Sequence, residues 1–250
     1  MFLRVQLTFN LFLIFCLFKV TTPLNRRVFE GESIPHDYHT YLVKLEFHGS
    51  APSLGECSGS FISNYWLLTS AHCIETDLLR VDVFFATKIG LRLIAQIEKR
   101  DVWPHPDYVL NKDSIANNEK DIALMYLRES INFNTYNINP IKLSTNYPEV
   151  GESGIIAGYG DAEVYSDAPR EGTVVITKCP FFQSTNLICS NGRVRAGSGD
   201  SGGPLIYKGN LVGVTSAGCK DPYINRICLT VYTSVAANFD WIRKITNEIL

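Results

Sequence analysis

The chain has 250 residues, 46% of them hydrophobic and 19% charged, with 18 glycines and 11 prolines scattered without a period. That excludes a disordered, collagen-like or low-complexity chain, because there is ample apolar surface to bury and no repeat. The net charge is −2, but residues 1–27 carry Arg4, Lys19, Arg26 and Arg27 and no acidic residue; the remainder holds 19 basic against 25 acidic residues, a net of −6, which argues against a nucleic-acid partner.

At the N-terminus, Arg4 precedes the unbroken apolar run Leu11–Phe18. A bilayer takes about 20 residues, so this run is too short to span one. It fits the core of a signal peptide over residues 1–22, with cleavage between Phe18 and Leu24 and loss of Cys16. No later stretch is apolar enough for a membrane span, so a secreted, soluble product with no membrane partner is expected.

Short strand-like runs follow, rich in Val, Ile, Phe, Tyr and Thr and separated by Gly, Asn, Asp and Pro. They are Tyr41–Phe47, Ser60–Leu68, Leu79–Phe85, Leu91–Glu98, Ile122–Leu127, Ser153–Ala157, Gly172–Thr177, Pro204–Tyr207, Leu211–Ser216 and Leu229–Tyr232. The polar stretch Asn111–Lys120 reads as a surface loop. Val235, Phe239, Ile242 and Ile245 recur at helical steps and predict a terminal helix. Many short strands and one helix point to an all-β barrel or sandwich.

Six cysteines remain after residue 27: Cys57, Cys73, Cys179, Cys189, Cys219 and Cys228. An even number in an oxidising compartment suggests three disulfides, with fifteen pairings open. There is no CxxC and no His/Cys cluster at zinc spacing, so no metal and no cofactor is expected. The segment Phe85–Leu91 is short and lacks an acidic pair that would hold calcium.

Three segments carry chemistry. In Gly199-Asp200-Ser201-Gly202-Gly203-Pro204, glycines let the backbone turn sharply and present one hydroxyl, and neighbouring amides could share one oxyanion. In Leu68-Thr69-Ser70-Ala71-His72-Cys73, a histidine follows an apolar strand beside a cysteine that could pin it. In Asp121-Ile122-Ala123-Leu124, a carboxylate opens an apolar strand. A serine hydroxyl is a weak nucleophile that needs a base, and the base needs an orienting partner; His72, Asp121 and Ser201 supply all three.

TSAHC, DIAL and GDSGGP, in that order, resemble the chymotrypsin-fold, trypsin-like serine proteases from about Val28 to the C-terminus. Trp103–Tyr108 and Ala157-Gly158-Tyr159-Gly160 are similar to family segments as well. The resemblance implies two six-stranded antiparallel β-barrels packed together with a C-terminal helix, divided roughly as 28–135 and 136–250. It implies that Ser201 is the nucleophile, His72 the general base and then acid, and Asp121 the residue that fixes the imidazole tautomer. The amides of Gly199 and Ser201 would form the oxyanion hole. It implies a zymogen with a short propeptide, 23–27, cleaved between Arg27 and Val28 so that the new N-terminus pairs with Asp200. Here the chain has Val28-Phe29-Glu30-Gly31 where the family usually has IVGG. Cys57–Cys73 and Cys179–Cys189 would be bridged. Gly197 stands where the family has a cysteine, so a rearranged Cys219–Cys228 bridge is inferred, with free thiols as the alternative.

The specificity pocket departs from the family. Its base, six residues before the nucleophile, is Arg195, with Arg193 nearby. A cationic base repels Lys and Arg, so a tryptic preference is not expected. Arg195 could pair with an acidic substrate residue, swing into solvent and leave an apolar pocket, or fill and block the pocket. Ser216 would pair with the substrate backbone; Ala217 replaces the wall tryptophan, before Gly218, and Thr230 replaces a wall glycine, as in elastases. The expected product is a secreted serine endopeptidase whose partners are protein or peptide substrates, an activating protease and protein inhibitors. The rival is a non-proteolytic homologue acting as a binding or decoy protein.

Overall fold

The computed structural model describes residues 28, 30–50, 53–109, 118–160, 168–179, 186–218 and 229–247. The expected signal segment, the propeptide with Arg27, most of the polar 111–120 loop and the expected Cys219–Cys228 bridge lie outside the described residues.

One seven-stranded sheet is built from β2 (Leu42–His48), β3 (Gly55–Phe61), β4 (Trp66–Thr69), β5 (Arg80–Thr87), β6 (Gly90–Glu98), β7 (Val102–Pro104) and β8 (Ala123–Tyr126), in the order β6-β5-β2-β3-β4-β8-β7. In β2 the sequence LVKLEFH alternates, and Val43, Leu45 and Phe47 turn inward onto Phe61, Leu67, Val81, Val83 and Met125. The second sheet holds β1 (Glu32–Ser33), β9 (Ser153–Gly158), β10 (Arg170–Thr177), β11 (Leu187–Asn191), β12 (Pro204–Tyr207), β13 (Asn210–Ala217) and β14 (Leu229–Ser234). Its order is β1-β10-β11-β14-β13-β12-β9, and pairing of β9 with β10 closes six of these strands into a barrel. The all-β, two-barrel expectation holds with one refinement: the first sheet is a half-barrel, whose end strands β6 and β7 do not pair among the described residues.

Some boundaries differ from the sequence reading. Ser60–Leu68 is a hairpin rather than one strand: β3 and β4 flank a turn at Ser63-Asn64, where the Ile62 amide donates to the Trp66 carbonyl. Strands β1, β7 and β11 and the one-turn helix α1 (Phe133–Tyr136) are too short to show a period. The terminal helix α2 (Val235–Thr246) is capped by Ser234, whose hydroxyl accepts from the Ala237 amide, and closes on Asn247 in the left-handed region. Val235 and Ile242 are buried as expected, whereas Phe239 and Ile245 are only partly covered; Asn238 is buried instead.

The seam between the halves positions the site. There Trp66, Leu68, Ile122 and Leu124 of the first sheet pack on Leu211, Val214, Val235 and Ile242 of the second half. Burial of this shared apolar core, at roughly 25 cal/mol per Å² of apolar area removed from water, favours association of the halves.

The first described residues are tied to the second barrel by polar contacts. Arg170 donates to the Gly31 carbonyl, and β1 pairs with β10 through Glu32 opposite Glu171. His39 Nε2 lies 2.6 Å from Glu171 Oε2, and the Tyr41 hydroxyl 2.9 Å from His39 Nδ1. Burial disfavours the charged ring and holds the His39 pKa below its ordinary value, so the neutral tautomer donates from Nε2 to Glu171 and accepts the Tyr41 hydroxyl at Nδ1.

Candidate active site

Pairing of β4 with β8 sets Thr69 opposite Ala123, so the end of one strand lies beside the start of the other. Asp121 stands just before β8. His72 stands just after β4, in a 3₁₀ turn, Ala71–Cys73, clamped by the Cys57–Cys73 disulfide to β3. Cys179–Cys189 is also bridged.

Asp121 is 2% exposed, and its carboxylate is filled by donors. Oδ1 accepts the His72 amide at 2.8 Å; Oδ2 accepts His72 Nδ1–H at 2.7 Å and the Ser216 hydroxyl at 2.5 Å. An ionised carboxylate only accepts, so the hydrogen of a neutral His72 sits on Nδ1 and the lone pair on Nε2. The His72 side chain is 32% exposed, so the ring reaches solvent while its partner does not.

Ser216 reaches Asp121 because β13 is irregular. The register with β14 shifts between Thr215 and Ala217, leaving Ser216 without a cross-strand partner and its side chain re-aimed. The sequence reading gave Ser216 a role through its backbone alone. Three further supports escaped it. The Thr233 hydroxyl donates to the carbonyls of Asn118, 2.7 Å, and Asp121, 3.0 Å. Ser70 Oγ donates to the Thr215 carbonyl at 2.6 Å, tying the histidine strand to β13. Asn238 donates to the Glu119 carbonyl at 3.1 Å and accepts from Lys120. The available signal was polar residues inside otherwise apolar strands and on the apolar stripe of α2.

Ser201 lies on a turn whose glycines are sterically required. Gly202 has φ +79°, and a Cβ there would lie 2.0 Å from Thr69 Oγ1 and 2.3 Å from the Ser58 carbonyl. Its amide donates to Thr215 O, while the Ser201 carbonyl accepts from the Ser58 amide, both at 2.8 Å. The turn is therefore pressed against Thr69-Ser70, immediately before the Ala71–Cys73 turn. Gly202→Ala is expected to destabilise the fold by about 3 kcal/mol or more, from left-handed strain plus the clash, read as a lower urea midpoint at unchanged slope.

Asp200 points away from this face into the barrel, 2% exposed. Its Oδ2 accepts the amides of Val28 and Gly197 at 2.8 Å, and its Oδ1 the Gly160 amide at 2.9 Å. Gly158 makes room: a Cβ there would stand 2.2 Å from Asp200 Oδ1. Val28 is fully buried among Ile156, Val174, Leu205 and Tyr232.

The expected pocket residues come from three segments of the chain. Arg195 Nη1 donates to the Arg193 carbonyl at 3.0 Å, in an exposed contact along its own loop. Thr230 is buried, and its hydroxyl accepts from the Ala196 amide at 3.2 Å. Beside it the Tyr232 hydroxyl shares a hydrogen bond of 2.8 Å with Ser190, and burial raises that phenol's pKa above its ordinary value. Ala217 and Gly218 are exposed at the rim.

Residues 28–242 match the family model described as Trypsin. The chain belongs to the trypsin family. This trypsin-family chain is 30% identical over 230 residues to a factor V activator of Macrovipera lebetinus, covering 86% of each chain. It is 30% identical over 235 residues to snake venom serine protease 3 of Craspedocephalus gramineus, covering 87% of this chain and 86% of that one. Among solved structures it resembles HL collagenase, with a TM-score of 0.74 at 21% identity over 89% of this chain and 100% of that one. It also resembles mouse neuropsin, a serine protease, with a TM-score of 0.69 at 24% identity over 87% and 99%. These two likenesses confirm the chymotrypsin-like fold.

Proposed function

We propose that this trypsin-family chain is a secreted serine endopeptidase, made as a zymogen, that cleaves peptide bonds through an acyl-enzyme formed on Ser201. The observation that carries the reading is the buried Asp121 carboxylate bound to His72 Nδ1 at 2.7 Å and to Ser216 at 2.5 Å. That arrangement holds the ring in place and leaves the Nε2 lone pair of a neutral imidazole able to take a proton.

In this reading the Ser201 hydroxyl attacks the substrate carbonyl carbon while His72 Nε2 takes its proton. The amides of Gly199 and Ser201 donate to the tetrahedral oxyanion. As the carbon–nitrogen bond breaks, the imidazolium returns the proton to the departing amine, and Asp121 stabilises its charge without taking a proton. Water then repeats the sequence on the ester. Each oxyanion donor is worth on the order of 10²–10³ in rate, which is why the glycine-framed turn matters as much as the base. Its partners are protein or peptide substrates, a protease that cleaves after Arg27, and protein inhibitors that occupy the same cleft. Specificity is non-tryptic, because Arg195 stands where a tryptic pocket needs a carboxylate, leaving acidic or small apolar residues as the side chains to be selected.

The test is a fluorophosphonate probe on the protein beginning at Val28. Labelling at Ser201 that vanishes in Ser201→Ala establishes an activated nucleophile. A folded protein with a confirmed Val28 terminus and no labelling is instead a non-proteolytic homologue.

A further inference from the structure

Ala196 follows the expected pocket base, Arg195, and Gly218 follows the expected wall residues Ser216 and Ala217; in the structure the two touch. A Cβ on Gly218 would lie 2.7 Å from the Ala196 carbonyl oxygen and 3.7 Å from its Cβ. The Gly218 Cα is one bond of about 1.5 Å farther at most, so the backbones approach within about 4 Å. A side chain seated between two walls needs about 7 Å, twice the van der Waals contact distance of ~3.5 Å. Nothing passes between these two.

The contact is held from behind. Thr230 Oγ1 accepts the Ala196 amide at 3.2 Å, and Thr230 and Ala196 are 1% and 4% exposed. Arg195 precedes Ala196 on the same wall, and its Nη1 is engaged with the Arg193 carbonyl. The glycine at 218 thus does not widen the pocket: it lets the walls meet.

We propose that the primary pocket is shut where Ala196 meets Gly218, and that the enzyme cleaves after glycine or alanine, with the Thr230 hydroxyl as the specificity-determining group that holds the wall. This rests on the peptidase reading and narrows it: an acidic side chain is excluded.

Two arms test it. The first uses quenched fluorescent peptides identical except before the scissile bond. Kcat/KM for Gly or Ala is expected to exceed that for Leu, Phe, Asp or Lys by at least about tenfold, the discrimination a small pocket achieves against added methylenes. Equal or faster cleavage after any of those four overturns the proposal. Thr230→Ala, which frees the Ala196 amide, is expected to raise the Leu/Ala ratio about tenfold, whereas Thr230→Ser keeps the hydroxyl and the wild-type ratio. An unchanged ratio in a folded Thr230→Ala protein overturns the role of the hydroxyl. The second arm needs no activity: calorimetric titration with indole and benzamidine as flat aromatic probes. No saturable binding at millimolar concentration is expected, and binding of either overturns the closed pocket. If Ser201 resists fluorophosphonate the peptidase reading fails, and the titration still decides the pocket.

Discussion

Asp121→Asn is expected to lower kcat by on the order of 10⁴ while leaving the fold and the Cys57–Cys73 bridge intact. Asp121 accepts three hydrogens: from the His72 amide, from His72 Nδ1 and from Ser216. An asparagine has one accepting oxygen and one donating nitrogen. If its oxygen stays with the His72 amide, its NH₂ faces the ring and must donate to Nδ1. The ring hydrogen then moves to Nε2, and Nε2 can no longer take the Ser201 proton. If the amide is flipped, its NH₂ meets the His72 N–H head-on, leaving a buried donor unmet at a cost of about 1–3 kcal/mol. The unflipped amide, which leaves no buried donor facing a donor, is the expected one, so the loss falls on kcat, with KM little changed, because substrate does not touch Asp121. Steady-state kinetics on both proteins, with urea unfolding as the control, reads this directly. A variant that retains more than about a tenth of kcat would mean that His72 is oriented by something other than Asp121, since the tautomer argument allows no intermediate result.

The parts of this site that were legible in the sequence are those whose chemistry is local. A glycine on each side of Ser201 announces a sharp turn, and the structure places Gly199 and Gly202 at φ +85° and +79°. His72 next to Cys73 announces a pinned histidine. β2 was legible because water touches one face, which imposes alternation on LVKLEFH. β3 reads GECSGSF and shows no alternation, because residues Cys57–Phe61 are buried whichever way they point: the inward face packs in the first sheet and the outward face meets the Ser201 turn. Small side chains are needed there, so the apolar signal disappears where the strand is most enclosed. The side-chain role of Ser216 was not legible, for a related reason. Its aim at Asp121 comes from a register shift between β13 and β14, a property of two strands at once, and no single segment encodes it. The pocket is the least legible part. Counting back six residues identifies Arg195, but whether its charge reaches a substrate depends on the separation of Ala196 from Gly218, which are 22 positions apart in the chain.

Blocking cleavage after Arg27 is expected to leave the protein inactive, and the reason lies at Asp200. That carboxylate is 2% exposed and accepts three backbone amides, those of Val28, Gly197 and Gly160. Burying an ion costs several kcal/mol unless an opposite charge accompanies it, and amides carry none. Cleavage between Arg27 and Val28 converts the Val28 nitrogen from an amide to an ammonium already 2.8 Å from Asp200 Oδ2. In the proposed activation, the charge pair would then fix Asp200, and through the Gly197 amide and the chain itself it would fix Gly199 and Ser201, whose amides must be rigid to hold an oxyanion. In Arg27→Gln the bond survives the activating protease and the Val28 nitrogen stays a neutral amide. Peptide hydrolysis and fluorophosphonate labelling should both fall by at least about 10², the worth of one oxyanion donor, while thermal unfolding still shows a folded chain. Asp200→Asn in the cleaved protein tests the same link from its other end: the ammonium loses its counter-charge, and the activity loss should match that of the uncleaved chain. Full activity in uncleaved Arg27→Gln would show that the amide contact alone suffices, and that this chain has dispensed with activation by cleavage.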